Sequence, residues 1–244
     1  MTGNPGRESR VSGLVKRFYS EATANPAGEG WSVALDGRPV RTPSKSEMLL
    51  PSKALAEAIK AEWNDQGEQI DPAAMHLTRI ANTAIDGVTG REAAVADDIA
   101  AYAGSDLLCY RAEGPEGLVA AQCALWDPIL DWFKSELEAP FTCATGIVHA
   151  PQPEASLKRV CKEFGGFDAF ALSALHTITT LNGSALLALA HAKRRLSADL
   201  VWKAAHVDED WQISQWGEDS EAKARRGYRR VEFDAAARFL AQLP

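Results

Sequence analysis

MLLPSKALAEAIKAEWNDQGEQIDPAAMHLTRIANTAID, residues 48 to 86, is dense in helical periodicity and holds no group arranged for chemistry. Leu55, Ala58, Ile59, Glu62 and Trp63 recur at the three-and-four spacing that gathers side chains on one helical face. Gly67 and Pro72 interrupt the pattern, and Leu77, Ile80, Ala81, Ala84 and Ile85 resume it. The spacing predicts two short helices joined by a fixed corner, in a protein that binds rather than catalyses.

Upstream of this stretch the period changes from helical to alternating. WSVAL (31 to 35), Asp36-Gly37 and RPVRT (38 to 42) read as a hairpin, because Asp-Gly accommodates the two positive φ values of a type I′ turn. Pro39 places the second strand at a sheet edge, where its missing N–H does no harm. Trp31, Val33 and Leu35 alternate with Ser32 and Ala34, which predicts one face buried against the helix that starts near Ser52. Residues 1 to 16, rich in Gly, Ser and charge, read as a flexible arm ahead of Arg17, Phe18 and Tyr19.

Downstream, from about residue 73, the pattern is helical almost throughout. Thr89 and Glu92 form a capping-box signature before Val95, Ile99 and Tyr102. Asp127-Pro128 either kinks the helix of Leu118, Leu125, Ile129, Trp132 and Phe133 or starts a new one. Phe141 to Ala150 reads as an extended connector, and Ser197 as the cap of a helix carrying Leu200, Ala204, Val207 and Trp211. The predicted fold is α+β. A small β-rich N-terminal domain, residues 17–72, holds a hairpin or sheet with a helix; a larger all-α C-terminal domain, residues 73–244, follows.

The 244 residues are 46% apolar and 24% charged, which supplies a core with ease. A net charge of −7 argues against nucleic acid or an anionic membrane surface as partner, since both demand clustered Lys and Arg. The one basic cluster, Arg225, Arg226, Arg229 and Arg230, follows Glu218, Asp219 and Glu221 and reads as a charge-compensated helix. No apolar run approaches the roughly 18 residues that span a bilayer, so membrane insertion is not expected. Cys109, Cys123, Cys143 and Cys161 are too far apart for a zinc knuckle and read as buried free thiols in a reducing compartment.

The motifs of common chemistry are missing. The chain contains neither G-x-x-x-x-G-K-[ST] nor G-x-G-x-x-G, and no G-x-S-x-G, H-E-x-x-H or Cys-x-x-Cys. His76, His149, His176, His191 and His206 are scattered, and the adjacent Asp97 and Asp98 diverge by about 100° on a helix. No catalytic residue, cofactor or metal ligand is therefore assigned.

Aromatic and acidic residues remain near the C-terminus. Trp211 and Trp216 read either as core residues or as interface anchors, a role in which Trp is enriched. Glu218, Asp219 and Glu221 suit the first turn of a helix, with Asp219–Lys223 and Glu221–Arg225 pairs four apart. Asp208, Glu209 and Asp210, placed at the end of the helix capped by Ser197, have no such account. Glu209, Asp210, Trp211, Trp216, Asp219 and Glu221 are accordingly the candidate partner contacts. Trp63, Arg79, Asn82 and Asp86 are the candidates for fold integrity, tying the helical corner to the hairpin domain.

RFY (17 to 19), LDGRPVRTP (35 to 43), LPSKALAEAIKAEW (50 to 63), MHLTRIANTAID (75 to 86) and WQISQWGEDSEAKARR (211 to 226) resemble the Atp12 family, chaperones of F1-ATPase assembly, over nearly the whole chain. The lack of a long presequence suits an alphaproteobacterial member in the cytoplasm; a eukaryotic one would sit in the mitochondrial matrix. Where eukaryotic members of the family have a longer acidic step containing His-Asp after W-G, this chain has the compressed Glu218-Asp219-Ser220-Glu221. The resemblance implies a non-enzymatic protein, monomeric when unbound, that holds the F1 α subunit before it meets β. The rival reading is a small-molecule enzyme with a site in the interdomain cleft, which requires a pocket with converging His, Asp or Arg groups. A third is a structural subunit of a larger complex.

Overall fold

A computed structural model describes residues 14–146 and 148–244, which form two compact units. The described residues up to Gly87, together with Gln242–Pro244, make the first, and Val88–Ala241 the second.

In the first unit, β1 (Val15–Lys16) pairs antiparallel with β6 (Gln69–Ile70). Chain order therefore begins before Arg17, and residues 1 to 13 of the expected arm lie outside the described residues. The main sheet runs β2 (Ala22–Ala27), β3 (Gly30–Leu35), β4 (Arg38–Pro39), with β5 (Leu49–Leu50) also against β3. Asp36 and Gly37 have φ of 47° and 79°, the two positive values the hairpin turn requires. Pro39 lies opposite Ala34 on the outer strand. β2 is absent from the sequence pattern because ATANPA has little strand propensity; pairing with all of β3, from Ala22↔Leu35 to Ala27↔Gly30, imposes it. With neighbours on both sides, β3 buries Ser32 and Ala34 as well as Val33 and Leu35, so the expected single buried face is corrected to two.

Helix α1 (Lys53–Asn64) starts at Ser52, whose hydroxyl accepts from Leu55 N at 3.0 Å and donates to Gln242 O. It packs Leu55, Ala56, Ala58 and Ile59 onto β2 and β3. Glu62 leaves the apolar stripe to cap α2 (His76–Thr83): its carboxylate accepts from Leu77 N at 2.7 Å and from Thr78 N and Oγ1 at 2.8 Å. That anchorage puts α2 in the first unit, and the division falls at Gly87/Val88, inside a wide helical turn over Ala84–Val88, rather than at residue 72/73.

The second unit is mostly helical: α3 (Glu92–Ala101), α4 (Glu116–Glu136), α5 (Glu154–Phe164), α6 (Ala169–Asn182), α7 (Ala185–Ala192), α8 (Ala198–Ala205), α9 (Val207–Trp216) and α10 (Ser220–Ala241). A short parallel ladder joins β7 (Tyr110–Arg111) to β8 (Ala144–Thr145) in the connector. Trp126, Phe133, Phe164, Phe233 and Phe239 are fully buried. α4 passes through Pro128 as one helix. α3 begins at Glu92, so Glu92 stands at the first helical position instead of the third that the capping-box reading requires, and its carboxylate accepts from Gly90 N at 3.0 Å.

Asp106 is wholly buried and caps two segments at once. Oδ1 accepts from Leu108 N at 3.2 Å and Ser184 Oγ at 2.7 Å, while Oδ2 accepts from Leu186 N at 3.0 Å in the first turn of α7. Burial outweighs these bonds and pushes its carboxyl up to about 6. The cysteines also differ from expectation: Cys109 is buried, Cys161 is partly exposed, and Cys123 and Cys143 face solvent.

Candidate partner-binding surface

The helix capped by Ser197 does not run through to Trp211. It stops at His206, whose N–H and ring Nδ1 both donate to Trp202 O, and whose ring stacks on the Trp202 indole at 3.8 Å. Burial lowers the His206 pKa. A new helix, α9, starts at Val207, so Asp208, Glu209 and Asp210 occupy its first turn, where negative charge offsets the macrodipole. The expectation that they burden a helix C-terminus is thereby corrected.

Each of those acids also has a partner within the unit. Asp208 Oδ1 accepts from Gln122 Nε2 at 2.7 Å. The mostly buried Arg226 of α10 bonds Asp210 and stands 3.8 Å from Glu209. Trp211 turns inward: its indole fills the space over Gly117 of α4, and its Nε1 is buried without a hydrogen-bond partner. Trp216 ends α9 and is 79% exposed. Gly217, at φ 83° and ψ 177°, takes a backbone shape essentially reserved to glycine and breaks the helix there.

Asp219 then starts α10, its Oδ1 accepting from Ala222 N at 2.8 Å. Lys223 accordingly pairs with Glu218 at 2.8 Å instead of with Asp219. Glu221 is open to solvent and 3.6 Å from Arg225. Arg230 bonds Asp199 and Asp234, and Arg229 donates to Leu181 O, so the basic cluster is compensated from several elements. Along α10, Tyr228 is 77% and Val231 52% exposed. Their three-residue spacing was legible but was hidden among the charges around them.

The four fold-integrity candidates all lie in the first unit. Trp63 O accepts from Tyr19 Oη at 2.6 Å, and the two rings meet edge-on at 5.7 Å. Asp86 reaches the β4–β5 connection, accepting from Thr42 Oγ1 at 2.7 Å and Ser44 N at 3.0 Å, bonds that hold its pKa below the usual carboxylate range. Arg79 Nη2 lies 3.3 Å from His76 Nδ1, while Asn82 has a buried Oδ1 without a hydrogen-bond partner. Arg17, unassigned by sequence, donates to the carbonyls of Tyr19, Ser20, Asn64 and Gln66, and it stacks over Tyr19.

Among the described residues no three His, Cys, Asp or Glu side chains are grouped to hold a metal. No helix there is long and apolar enough to cross a membrane. An open concavity lies beside α4, with Asp131, Trp132, Glu136 and Arg195 in its wall and no histidine.

A family model described as ATP12 chaperone protein matches residues 16–134. The crystal structure of Atp12 from Paracoccus denitrificans superposes with a TM-score of 0.87 at 41% identity, over 94% of this chain and 98% of that one. The chain belongs to the Atp12 chaperone family. An aspartate-to-lysine mutant of the P. denitrificans Atp12 gives the same TM-score, over 93% of this chain and 97% of that one, again at 41% identity. A candidate chaperone from Agrobacterium tumefaciens reaches 0.90 at 42% identity, over 100% of this chain and 92% of that one. Both units and the α9–α10 corner thus fall within the match to the A. tumefaciens structure, although α9 and α10 lie beyond the family-model match.

Proposed function

We propose that this Atp12-family chain assists assembly of the F1 sector of ATP synthase by binding the unassembled α subunit and shielding its apolar interface until β replaces it. Membership of a chaperone family carries the reading. An unassembled subunit presents a large apolar patch that associates non-specifically, and covering it requires contact surface rather than catalysis. The protein works as a monomer, in the cytoplasm of a bacterium, without a cofactor.

The α9–α10 corner is the proposed contact. Trp216, with Tyr228 and Val231 farther along α10, offers exposed apolar anchors, and Glu221, Arg225 and Glu209 supply a charged rim. Trp211, Asp210 and Asp219 serve the contact indirectly, by holding α9 on α4 and α10 and by capping α10. Binding must be moderate, since the chaperone has to yield to β.

The test is co-purification of tagged chaperone with separately expressed α and β subunits. Retention of α but not β, together with less soluble α when the chaperone is omitted, is expected. Retention of neither subunit would sink the proposal.

A further inference from the structure

The parallel ladder in the helical unit pairs Tyr110 with Ala144 and Arg111 with Thr145. The residues immediately preceding the two strands are Cys109 and Cys143, so the register brings two thiols to the same end of one ladder. Cys109 closes a 3-10 turn (Leu107–Cys109) and Cys143 precedes β8, each one residue outside a ladder whose strands stand about 4.8 Å apart, and Cys143 is close enough to act on the Cys109 thiol. A disulfide accepts a Cα separation of roughly 4.4–6.8 Å. The two thiols differ in access: Cys109 is 1% exposed, whereas Cys143 faces solvent. An open thiol backed by a buried one is the arrangement in which the first meets an oxidant and the second resolves the product.

We propose that Cys109 and Cys143 form a peroxide-responsive disulfide pair. The Cys143 thiol is oxidised by hydrogen peroxide to the sulfenic acid with release of one water. Cys109 sulfur then attacks the Cys143 sulfur, the S–O bond breaks, and the hydroxyl leaves with the Cys109 proton as a second water. Two thiols and one peroxide thus give one disulfide and two waters.

Two features set the order and pace. Burial, with the negative charge of Asp106 and the proximity of Cys143, pushes the Cys109 thiol up to about 12, so Cys143 is the group that reacts first. The second step is the slower one, because little of the Cys109 thiol is in the thiolate form that attacks. Closure makes a ring enclosing all of α4, the helix whose Gly117 and Gln122 hold α9 in place.

The experiment treats the full-length protein with graded hydrogen peroxide and follows intact mass and non-reducing peptide maps. The expected result is loss of two hydrogen masses per chain, one Cys109–Cys143 cross-linked peptide, and return to the starting mass with dithiothreitol. Cys143→Ser abolishes the cross-link, and Cys123→Ser leaves it in place. Cys109→Ser traps Cys143 as a dimedone-reactive sulfenic acid; should that variant fail to fold, the exposed Cys143→Ser protein still decides the matter. A dimedone adduct on Cys143 without any cross-link in the native protein overturns the proposal, as does a cross-link formed instead through Cys123 or Cys161.

Discussion

The indole of Trp211 on α9 occupies the volume that a methyl group on Gly117 of α4 would need. This contact and the Gln122–Asp208 hydrogen bond at 2.7 Å fasten α9 to α4. Gly117→Ala forces a side chain into an occupied space, so the Trp211 ring must shift off α4. Overpacking of this kind costs about 1–3 kcal/mol. A lower urea midpoint with a changed Trp emission maximum is expected; an unchanged midpoint would mean the contact is loose in solution.

Where burial and local backbone chemistry agree, the fold was readable. The Asp36-Gly37 turn, the helix start near Ser52, the Ser197 cap and the α1 stripe all follow from a residue acting on neighbours two to four positions away. What escaped depends on long-range partners. Glu62 fits the helical stripe in sequence, yet its carboxylate is committed to α2, and β2 exists only because β3 pairs with it. At the candidate surface the error had one cause: the helix break at His206 is made by a ring bonded to Trp202 O. The sequence pattern runs one helix through Trp211 and so sets three acids at an unfavourable end, whereas the break puts them in a favourable first turn that accounts for them without a partner.

Glu62→Ala removes the acceptor for two backbone N–H groups and one hydroxyl at the start of α2. Loss of a helix cap costs about 0.5–2 kcal/mol. Amide exchange at Leu77 and Thr78 is expected to accelerate more than exchange at Ile59 in α1. Uniform acceleration across both helices would show that the carboxylate supports the whole unit.

Asp106 has a folded pKa of about 6 against an ordinary value of 3.8, raised by desolvation. The folded state thus binds the proton more tightly, so the contribution of this group to stability is fully present below about pH 4. It is lost as pH rises through 6, by roughly 3 kcal/mol, because each tenfold difference in proton affinity between the folded and unfolded states is worth about 1.36 kcal/mol. Asp106→Ala strands the Leu108 and Leu186 N–H groups and the Ser184 hydroxyl, a loss of about 1–3 kcal/mol for each donor left unsatisfied. Urea denaturation of both proteins from pH 4 to pH 7 checks this. The difference between native and variant should be larger at pH 4 than at pH 7, and a constant difference would contradict the raised pKa.

His206 gives the opposite sign. Its pKa is lowered mainly by burial, with Arg226 adding to the effect, so its contribution is present above the unfolded value of 6.5 and is lost as pH falls through the lower folded value. Protonation puts a charge on a largely buried ring, stacked on Trp202 at 3.8 Å, in the residue that immediately precedes α9. Acidification below pH 6 is expected to loosen α9 before the rest of the helical unit, visible as faster amide exchange at Asp210, whose N–H bonds His206 O at 2.8 Å. His206→Gln should remove that selectivity; if α9 in the native protein exchanges at the same relative rate at pH 5 and pH 8, the histidine does not govern it.

Trp216 and Trp211 separate binding from folding. Trp216 is 79% exposed, so Trp216→Ala should leave the unfolding midpoint within the range of ordinary surface substitutions, about ±0.5 kcal/mol. If it anchors the partner, truncation should weaken retention of the α subunit by about 2 kcal/mol or more, close to 30-fold. Trp211→Ala empties the space over Gly117 and should lower the midpoint as well as binding. Tyr228→Ala, on the exposed face of α10, should follow the Trp216 pattern. Titration calorimetry with purified α, set beside urea denaturation for each variant, distinguishes the cases. Full affinity in both the Trp216 and the Tyr228 variants would move the contact away from the α9–α10 corner while leaving the chaperone reading in place.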